Sequence, residues 1–362
     1  VALTPYQLLG YLPMMEPVQV KMKGLPRVLP DPFYNLTEQV SGDKATVIKF
    51  NGTRRVAQVR PYGAPPLQVE RLDPGEESFK LLHSIETMPY DQHFLKVLRE
   101  WDKYVPEQQW FKVQLAQYGE NFAERQVNLR TAVTTSNLAT GKTWFDADGN
   151  LLPNATGASL VVDQQVPAAN QGGIGGILTT SWADPTADIA GNIRAVKKRA
   201  RRGAGRPLKY AFYGANVTGY IERNASMSKF FQFNPVAYQS FVDNGKVPDG
   251  AFGLIWVAAQ DAFYEDATGT ERSLFPDDQI TFTPEPSKDW YTVYEGSFNV
   301  PNKLGMFTNA QEAVNNWEER FGMFRYAYIE QGKVFTVHEV QGDTFLPRFK
   351  VPEAVFMLDT TP

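Results

Sequence analysis

Residues 106–138 read PEQQWFKVQLAQYGENFAERQVNLRTAVTTSNL. Pro106 suits the first position of a helix, where its missing N–H would have no intrahelical partner. Phe111, Leu115, Tyr118, Phe122, Leu129 and Val133 recur at spacings of three, four and seven, which is one face of an α-helix. Lys112, Gln114, Gln117, Glu120, Glu124 and Arg125 fall on the other face. Gly141 supplies a stop. The spacing predicts an amphipathic helix of roughly 30 residues, about 45–50 Å long. A beam of that length points to a flat, extended molecule more than to a ball around a pocket.

Around this beam lies an ordinary folded composition. The 362 residues are 43% hydrophobic and 21% charged, enough for two or three domains. A net charge of −4 argues against a dedicated nucleic-acid binder while leaving room for local basic patches. With no cysteine, disulfides, thiolate chemistry and Cys-based metal sites are excluded. No apolar run approaches the roughly 18 residues of a membrane helix, and no leader pattern opens the chain. No membrane partner is expected.

Residues 1–40 carry Pro5, Pro13, Pro17, Pro26, Pro30 and Pro32 and read as an extended arm with little core of its own. At most a short helix is expected near Pro5–Tyr11. Ala45–Phe50 and Thr53–Val59 flank Asn51-Gly52, the strongest type I′ hairpin signal. Such a ribbon is marginal alone and needs a surface, its own or a neighbour's. Residues 75–104 read as two helical pieces split at Met88-Pro89, the second capped by Asp91. Lys142–Phe145 and Leu151-Leu152 flank a turn at Asp146–Asn150, with strand character at Leu160–Val162. A boundary is expected near Thr180. Beyond it, Asp184 as cap and Pro185 as first residue predict a helix ending at Gly203. Leu208–Tyr213 reads as strand, Gly214–Phe231 as helix, and Leu254–Ala259, Gln279–Thr283 and Trp290–Glu295 as strands. Ala262–Glu265 and Glu271–Phe275 flank a turn. A helix is expected through Ala313–Phe321, then strands at Val334–Val340 and Ala354–Leu358. This alternation is an α+β chain.

Motifs for catalysis are weak. Gly141-Lys142-Thr143 resembles the tail of a phosphate loop, but Ser136 stands where the first glycine belongs, and a helix precedes it. Asp146, Asp148 and Asn150 have the spacing of the first calcium-loop ligands, without the loop's glycine and closing Glu. A polar hairpin turn is the simpler reading. His83, His93 and His338 lack an i, i+4 partner, and the first two read as ordinary helix-face residues. Asp277-Asp278 would point to opposite faces of a strand and reads as a turn. No cofactor or metal is expected. One charge run stands out: Arg194, Lys197, Lys198 and Arg201 on one helical face, joined by Arg199, Arg202, Arg206 and Lys209. It is either a solvated face favoured by the helix dipole or a contact for phosphates.

The order of these parts resembles the tailed-bacteriophage major capsid proteins of the lambda type (the major capsid protein E family). The resemblance rests on the long helix running into Gly141-Lys142-Thr143 and a hairpin, and on Leu208–Tyr213 leading into a helix. It rests further on Ser273-Leu-Phe-Pro-Asp-Asp-Gln-Ile-Thr-Phe-Thr283 and on the ending Val351–Asp359. It implies an α+β tailed-phage capsid fold: an N-terminal arm (1–40), an extended hairpin loop (41–75), and a peripheral domain (76–180) with its spine helix at 106–138. An axial domain (181–305) and a return to the peripheral domain (306–362) would complete it. It also implies a structural subunit without catalytic residues, assembled in a host cytoplasm into pentamers and hexamers of an icosahedral virion shell around a genome. Lys49, Asn51, Gly52, Arg54 and Arg55 would then make assembly contacts, and Arg194, Lys197, Lys198 and Arg201 would face packaged DNA. A decoration protein and a scaffold are possible partners. The rival reading is a secreted or virion-associated polysaccharide-active enzyme, resting on 13% aromatic residues with Trp182, Trp256 and Trp290 as sugar platforms.

Overall fold

The computed structural model describes residues 27–49, 75–91, 110–172, 177–178, 180–232, 239, 245–248, 250–266, 268–301, 317–330 and 336–361. The described chain opens with a one-turn helix α1 (Pro32–Asn35) and strand β1 (Thr37–Val40). Strands β2 (Lys44–Lys49), β3 (Gly75–Lys80) and β4 (Leu82–Asp91) lead to the long helix α2 (Trp110–Thr140). Gly141, at φ +72°, turns the chain out of α2, and its N–H donates to the carbonyl of Asn137. Short strands β5 (Lys142–Phe145), β6 (Leu151–Leu152), β7 (Leu160–Asp163) and β8 (Gln171–Gly172) follow. Then come α3 (Ile189–Gly203), β9 (Leu208–Tyr213), α4 (Ala215–Arg223), α5 (Ala225–Gln232) and β10 (Ile255–Ala258). The remaining strands are β11 (Phe263–Glu265), β12 (Glu271–Ser273), β13 (Gln279–Pro284), β14 (Tyr291–Pro301), β15 (Trp317–Phe321), β16 (Phe324–Glu330), β17 (Thr336–Phe349) and β18 (Phe356–Asp359).

Two sheets organise these strands. In the six-stranded sheet β17 is central: it pairs antiparallel with β4 from Thr336 to Phe345, with β16 near its start and with β14 near its end. β1 joins parallel to β14, and β15 antiparallel to it. The five-stranded sheet runs β10-β9-β13-β18-β8. The closing strand β18 therefore sits beside β13, in the sheet of Leu208–Tyr213, while β17 stays in the other.

Strand alternation gives the five-stranded sheet two cores. Ala211, Tyr213, Phe356 and Leu358 face Ile189, Ile193 and Val196 of α3. Phe212 and Met357 face the other way, into a cluster holding Val133 and Leu138 of α2 with Trp290, Tyr291, Phe345 and Phe349 of the six-stranded sheet. Phe33 of α1 is fully buried in that second cluster, edge-on to Tyr210, Phe212 and Trp290. The Tyr291 hydroxyl donates to the Phe33 carbonyl at 2.6 Å. Residues 27–40 are thus not a coreless arm: Leu29, Phe33 and Tyr34 are core. Pro5–Tyr11 lies outside the described residues.

Beside that apolar cluster, the joint between α2 and the six-stranded sheet carries a run of polar contacts. Arg125 makes a bidentate pair with Glu86 of β4. Arg130 bridges Asp343 of β17 and Glu295 of β14. Toward the start of α2, Gln341 donates to the Gly119 carbonyl and to Glu339, which also pairs with Arg325 and accepts from the Tyr90 hydroxyl. Further along, Asn137 and Gln164 both donate to the Pro347 carbonyl. Consequently α2 is not amphipathic throughout. Residues 131–139 are buried all round, Thr131, Thr134, Thr135, Ser136 and Asn137 among them.

Several sequence expectations are corrected. Residues 75–91 form strands β3 and β4, not helix, and His83 therefore stands on a strand. There its ring stacks on Phe298 and its Nδ1 meets the Thr344 hydroxyl at 2.8 Å. Trp317–Phe321 is a strand against β14, not helix, because its backbone completes an open sheet edge. Helix α3 starts at Ile189 and is capped by Asp188, whose carboxylate accepts from the Gly191 N–H at 2.8 Å. Asp184 instead closes a turn by accepting from the Thr186 N–H and hydroxyl. The segment Gly214–Phe231 is two helices broken at Asn224, which caps the second by accepting from the N–H groups of Ser226 and Met227.

Candidate assembly interface

The ribbon of β2 and β3 is rooted in the body. Its register runs from Lys44 opposite Lys80 to Lys49 opposite Gly75. Ala45 and Val47 are buried with Leu81 against Tyr294 and Leu346 of the six-stranded sheet. Arg348 fastens the other strand: it donates to Glu77 at 3.1 Å, to the Asp163 carbonyl, and lies over the Phe79 ring at 3.8 Å. Burial pushes the Arg348 guanidinium below its ordinary value, and Glu77 and Asp163 oppose that. The outer face carries Lys44 and Thr46, whose hydroxyl meets that of Ser78 at 3.1 Å.

The described partner of Lys44–Lys49 is thus Gly75–Lys80, and not the Thr53–Val59 segment expected from the Asn51-Gly52 signal. Of the predicted assembly residues, Lys49 is the last residue of β2. Asn51, Gly52, Arg54 and Arg55 lie outside the described residues, as do Thr53–Val59, Pro106 and His93.

Other exposed apolar side chains sit at strand edges. Leu160 and Val161 of β7 are 51% and 47% exposed at the edge of a small sheet, and Trp317 of β15 is 42% exposed. Neighbouring residues that are both apolar and both exposed on an edge strand make a surface that a second chain can cover.

Helix α3 carries the basic run. Asn192, Ile193, Val196 and Ala200 are buried, and Arg194, Lys198, Arg199, Arg201 and Arg202 are exposed. Lys197 departs from the expected face: it is half-buried, and its ammonium donates to the carbonyl of Phe252. Phe252 sits at φ +58° between Gly250 and Gly253, which are also left-handed. Burial lowers the Lys197 pKa, with Arg201 adding to the effect. At 100° per residue, Arg202 takes its place: Arg194, Lys198, Arg201 and Arg202 fall within about 100° of arc.

The remaining motifs take their simpler readings. Lys142 pairs with Asp163 across β5 and β7, at a helix end rather than a helix start. The Asp146 carboxylate accepts from the N–H groups of Asp148 and Asn150, an Asx-type hairpin turn. Asp278 accepts from Asn216 and from the Tyr220 hydroxyl, pinning the start of α4. Among the described residues, no group of three or more His, Asp or Glu is placed to hold a metal ion, and no helix is long and apolar enough to cross a membrane. Trp182, Trp256 and Trp290 are all buried, so they cannot be sugar platforms.

No protein-family model and no curated protein matches the sequence. Solved structures do. The chain is similar to the putative capsid protein of a prophage from E. coli CFT073, with TM-score 0.49 and 13% identity over 79% of each chain. It is similar to a Gordonia phage Cozz chain, with TM-score 0.46 and 12% identity over 95% of this chain and 91% of that one. It is also similar to the SrpI encapsulin of Synechococcus elongatus PCC 7942, with TM-score 0.44 and 10% identity over 100% and 96%.

Proposed function

We propose that this chain is a structural, non-catalytic subunit of an icosahedral phage head, self-assembling through copies of itself into pentamers and hexamers that enclose a genome. The observation that carries the reading is the ribbon. Its root is fixed by Ala45, Val47 and Leu81 and by Arg348, and its described register ends with Lys49 opposite Gly75. A two-stranded ribbon is marginal in water, so it gains by lying on a further surface, which a copy of the same chain supplies. The parts also occur in the order the sequence resemblance requires: ribbon, 31-residue helix across a sheet, then a second sheet with inserted helices. Heterologous contacts of this kind close into rings when the rotation permits.

The finer parts belong to the same proposal. Residues 76–180 form the peripheral unit around α2, 181–305 the axial unit apart from β14, which pairs in the six-stranded sheet, and 306–362 the return, with β18 joining the axial sheet. Lambda-type ancestry, a place in the virion after assembly in the host cytoplasm, a decoration protein and a scaffold accompany it. So do assembly contacts at Lys49, Asn51, Gly52, Arg54 and Arg55, and non-specific contact with packaged DNA.

The test keeps the root and removes the connection. Residues 50–74 are replaced by a two-residue turn joining Lys49 to Gly75. The expected result is a subunit with unchanged melting temperature that no longer assembles. Unimpaired assembly would refute the role given to the ribbon.

A further inference from the structure

The exposed face of α3 has a partner written into its chemistry. Arg194, Lys198, Arg201 and Arg202 share one arc, with Arg199 on its rim. Residues 194–202 span about 12 Å of helix. A DNA duplex carries one charge per roughly 1.7 Å of axis, so about seven phosphates lie along that length. Among the described residues no carboxylate pairs with Arg194, Lys198 or Arg199. Two kinds of macromolecule would suit such a face: an acidic protein segment and a nucleic acid. A specific protein interface is built around a buried core depleted in charge and enriched in aromatics. Among the described residues the large exposed apolar ones are Ile85, Leu160, Val161, Phe263 and Trp317, and none is on α3.

We infer that the outer face of α3 is a sequence-independent docking surface for the phosphate backbone of a nucleic acid, made by Arg194, Lys198, Arg201 and Arg202, with Lys197 excluded. This deepens the proposed shell reading, which supplies the nucleic acid as an enclosed genome. No aromatic side chain interleaves with the cations, so there is no base stacking and no base reading. Lys197 serves the fold instead, by holding the left-handed turn at Phe252.

The experiment uses the full chain and a fluorescent duplex of random sequence, with anisotropy read from 50 to 200 mM NaCl. Four phosphate contacts give a log–log salt slope of about −3.6, a loss of roughly a hundredfold in affinity across that range. The variant Arg194→Gln with Lys198→Gln removes two exposed, unpaired cations. It should keep the melting temperature and lower the slope magnitude by about 1.8. Lys197→Met should leave the slope unchanged. An unchanged slope in the double variant, or no binding by the native chain, would overturn the assignment. Displacement of the duplex by poly-glutamate at equal charge would overturn it in favour of an acidic protein. Sedimentation of the same samples separates the two readings: a chain that assembles without charge-dependent DNA binding loses this inference alone, and one that binds DNA without assembling loses the shell.

Discussion

Arg130, in the middle of α2, donates through Nε and Nη2 to both carboxylate oxygens of Asp343 on β17, at 2.9 and 2.8 Å. Its remaining arm reaches Glu295 of β14 at 2.7 Å, and its guanidinium lies over the Phe345 ring. The Arg130 and Asp343 side chains are 11% and 0% exposed. Burial works against the Arg130 charge, yet the two carboxylates raise it above its ordinary range. Burial also pushes the Asp343 carboxyl up, against the pull of Arg130. One side chain thus fixes where the helix sits on two strands.

Removing that side chain leaves two carboxylates without their cation. Arg130→Met should cost about 3–5 kcal/mol of stability, because a broken buried pair strands a charge. Arg125→Met, on the same helix, removes an equally bidentate pair whose arginine is 67% exposed. It should cost under about 1 kcal/mol. Urea denaturation of both variants measures the difference. Equal costs would mean that Arg130 is no keystone.

Gly342 of β17 lies under the Phe324 ring. An added Cβ would stand 2.5 Å from the ring's Cζ and 2.6 Å from the Ser84 carbonyl oxygen. Phe324 in turn stacks on Phe298 at 4.4 Å, and Phe298 on His83 at 5.4 Å. Gly342→Ala should therefore destabilise by about 1–3 kcal/mol, the range for overpacking. Gly203→Ala, where an added Cβ would meet no neighbouring element within 4 Å, is the control. Thermal unfolding of the pair checks this.

Much of the five-stranded sheet was legible from sequence and much of the six-stranded one was not, for a physical reason. Leu208–Tyr213 is an apolar strand between helices, and its sequence bounds are those of β9. β4 breaks the usual pattern at its centre. Ile85 points outward, 44% exposed, and Glu86 points inward, because the helix above it carries Arg125. Hydrophobic periodicity reads poorly on a strand whose covered face mixes Leu82, Met88 and Tyr90 with Ser84 and Glu86. The helix is legible to Leu138 and its Gly141 stop, but the all-round burial of its last turns, with Thr134 and Asn137 inside, is not. Arg130, Glu295 and Asp343 left no local signal, being brought together only by the sheet. The cap of α3 was misplaced because Asp184-Pro185 offers a stronger textual start than Asp188, which has the geometry.

The ribbon of β11 and β12 gives a pH prediction. The Asp266 carboxylate accepts from the Thr268 hydroxyl, from the N–H groups of Thr268 and Thr270, and from Arg272. These bonds, the Thr268 hydroxyl first, hold its pKa well below the ordinary 3.8. A depressed carboxylate contributes stability that is present above its unfolded pKa and lost as pH falls through the folded one. Amide exchange at Thr268 and Thr270 should thus stay protected at pH 4 and open only in stronger acid. Asp266→Ala should abolish that protection at every pH. Protection lost already at pH 5 in the native chain would contradict the turn.

The most direct measurement of the shell reading is negative-stain electron microscopy of the purified full chain at rising concentration. A subunit completed by its neighbours gives closed shells or five- and six-membered rings. A monodisperse monomer at the highest concentration reached would contradict it.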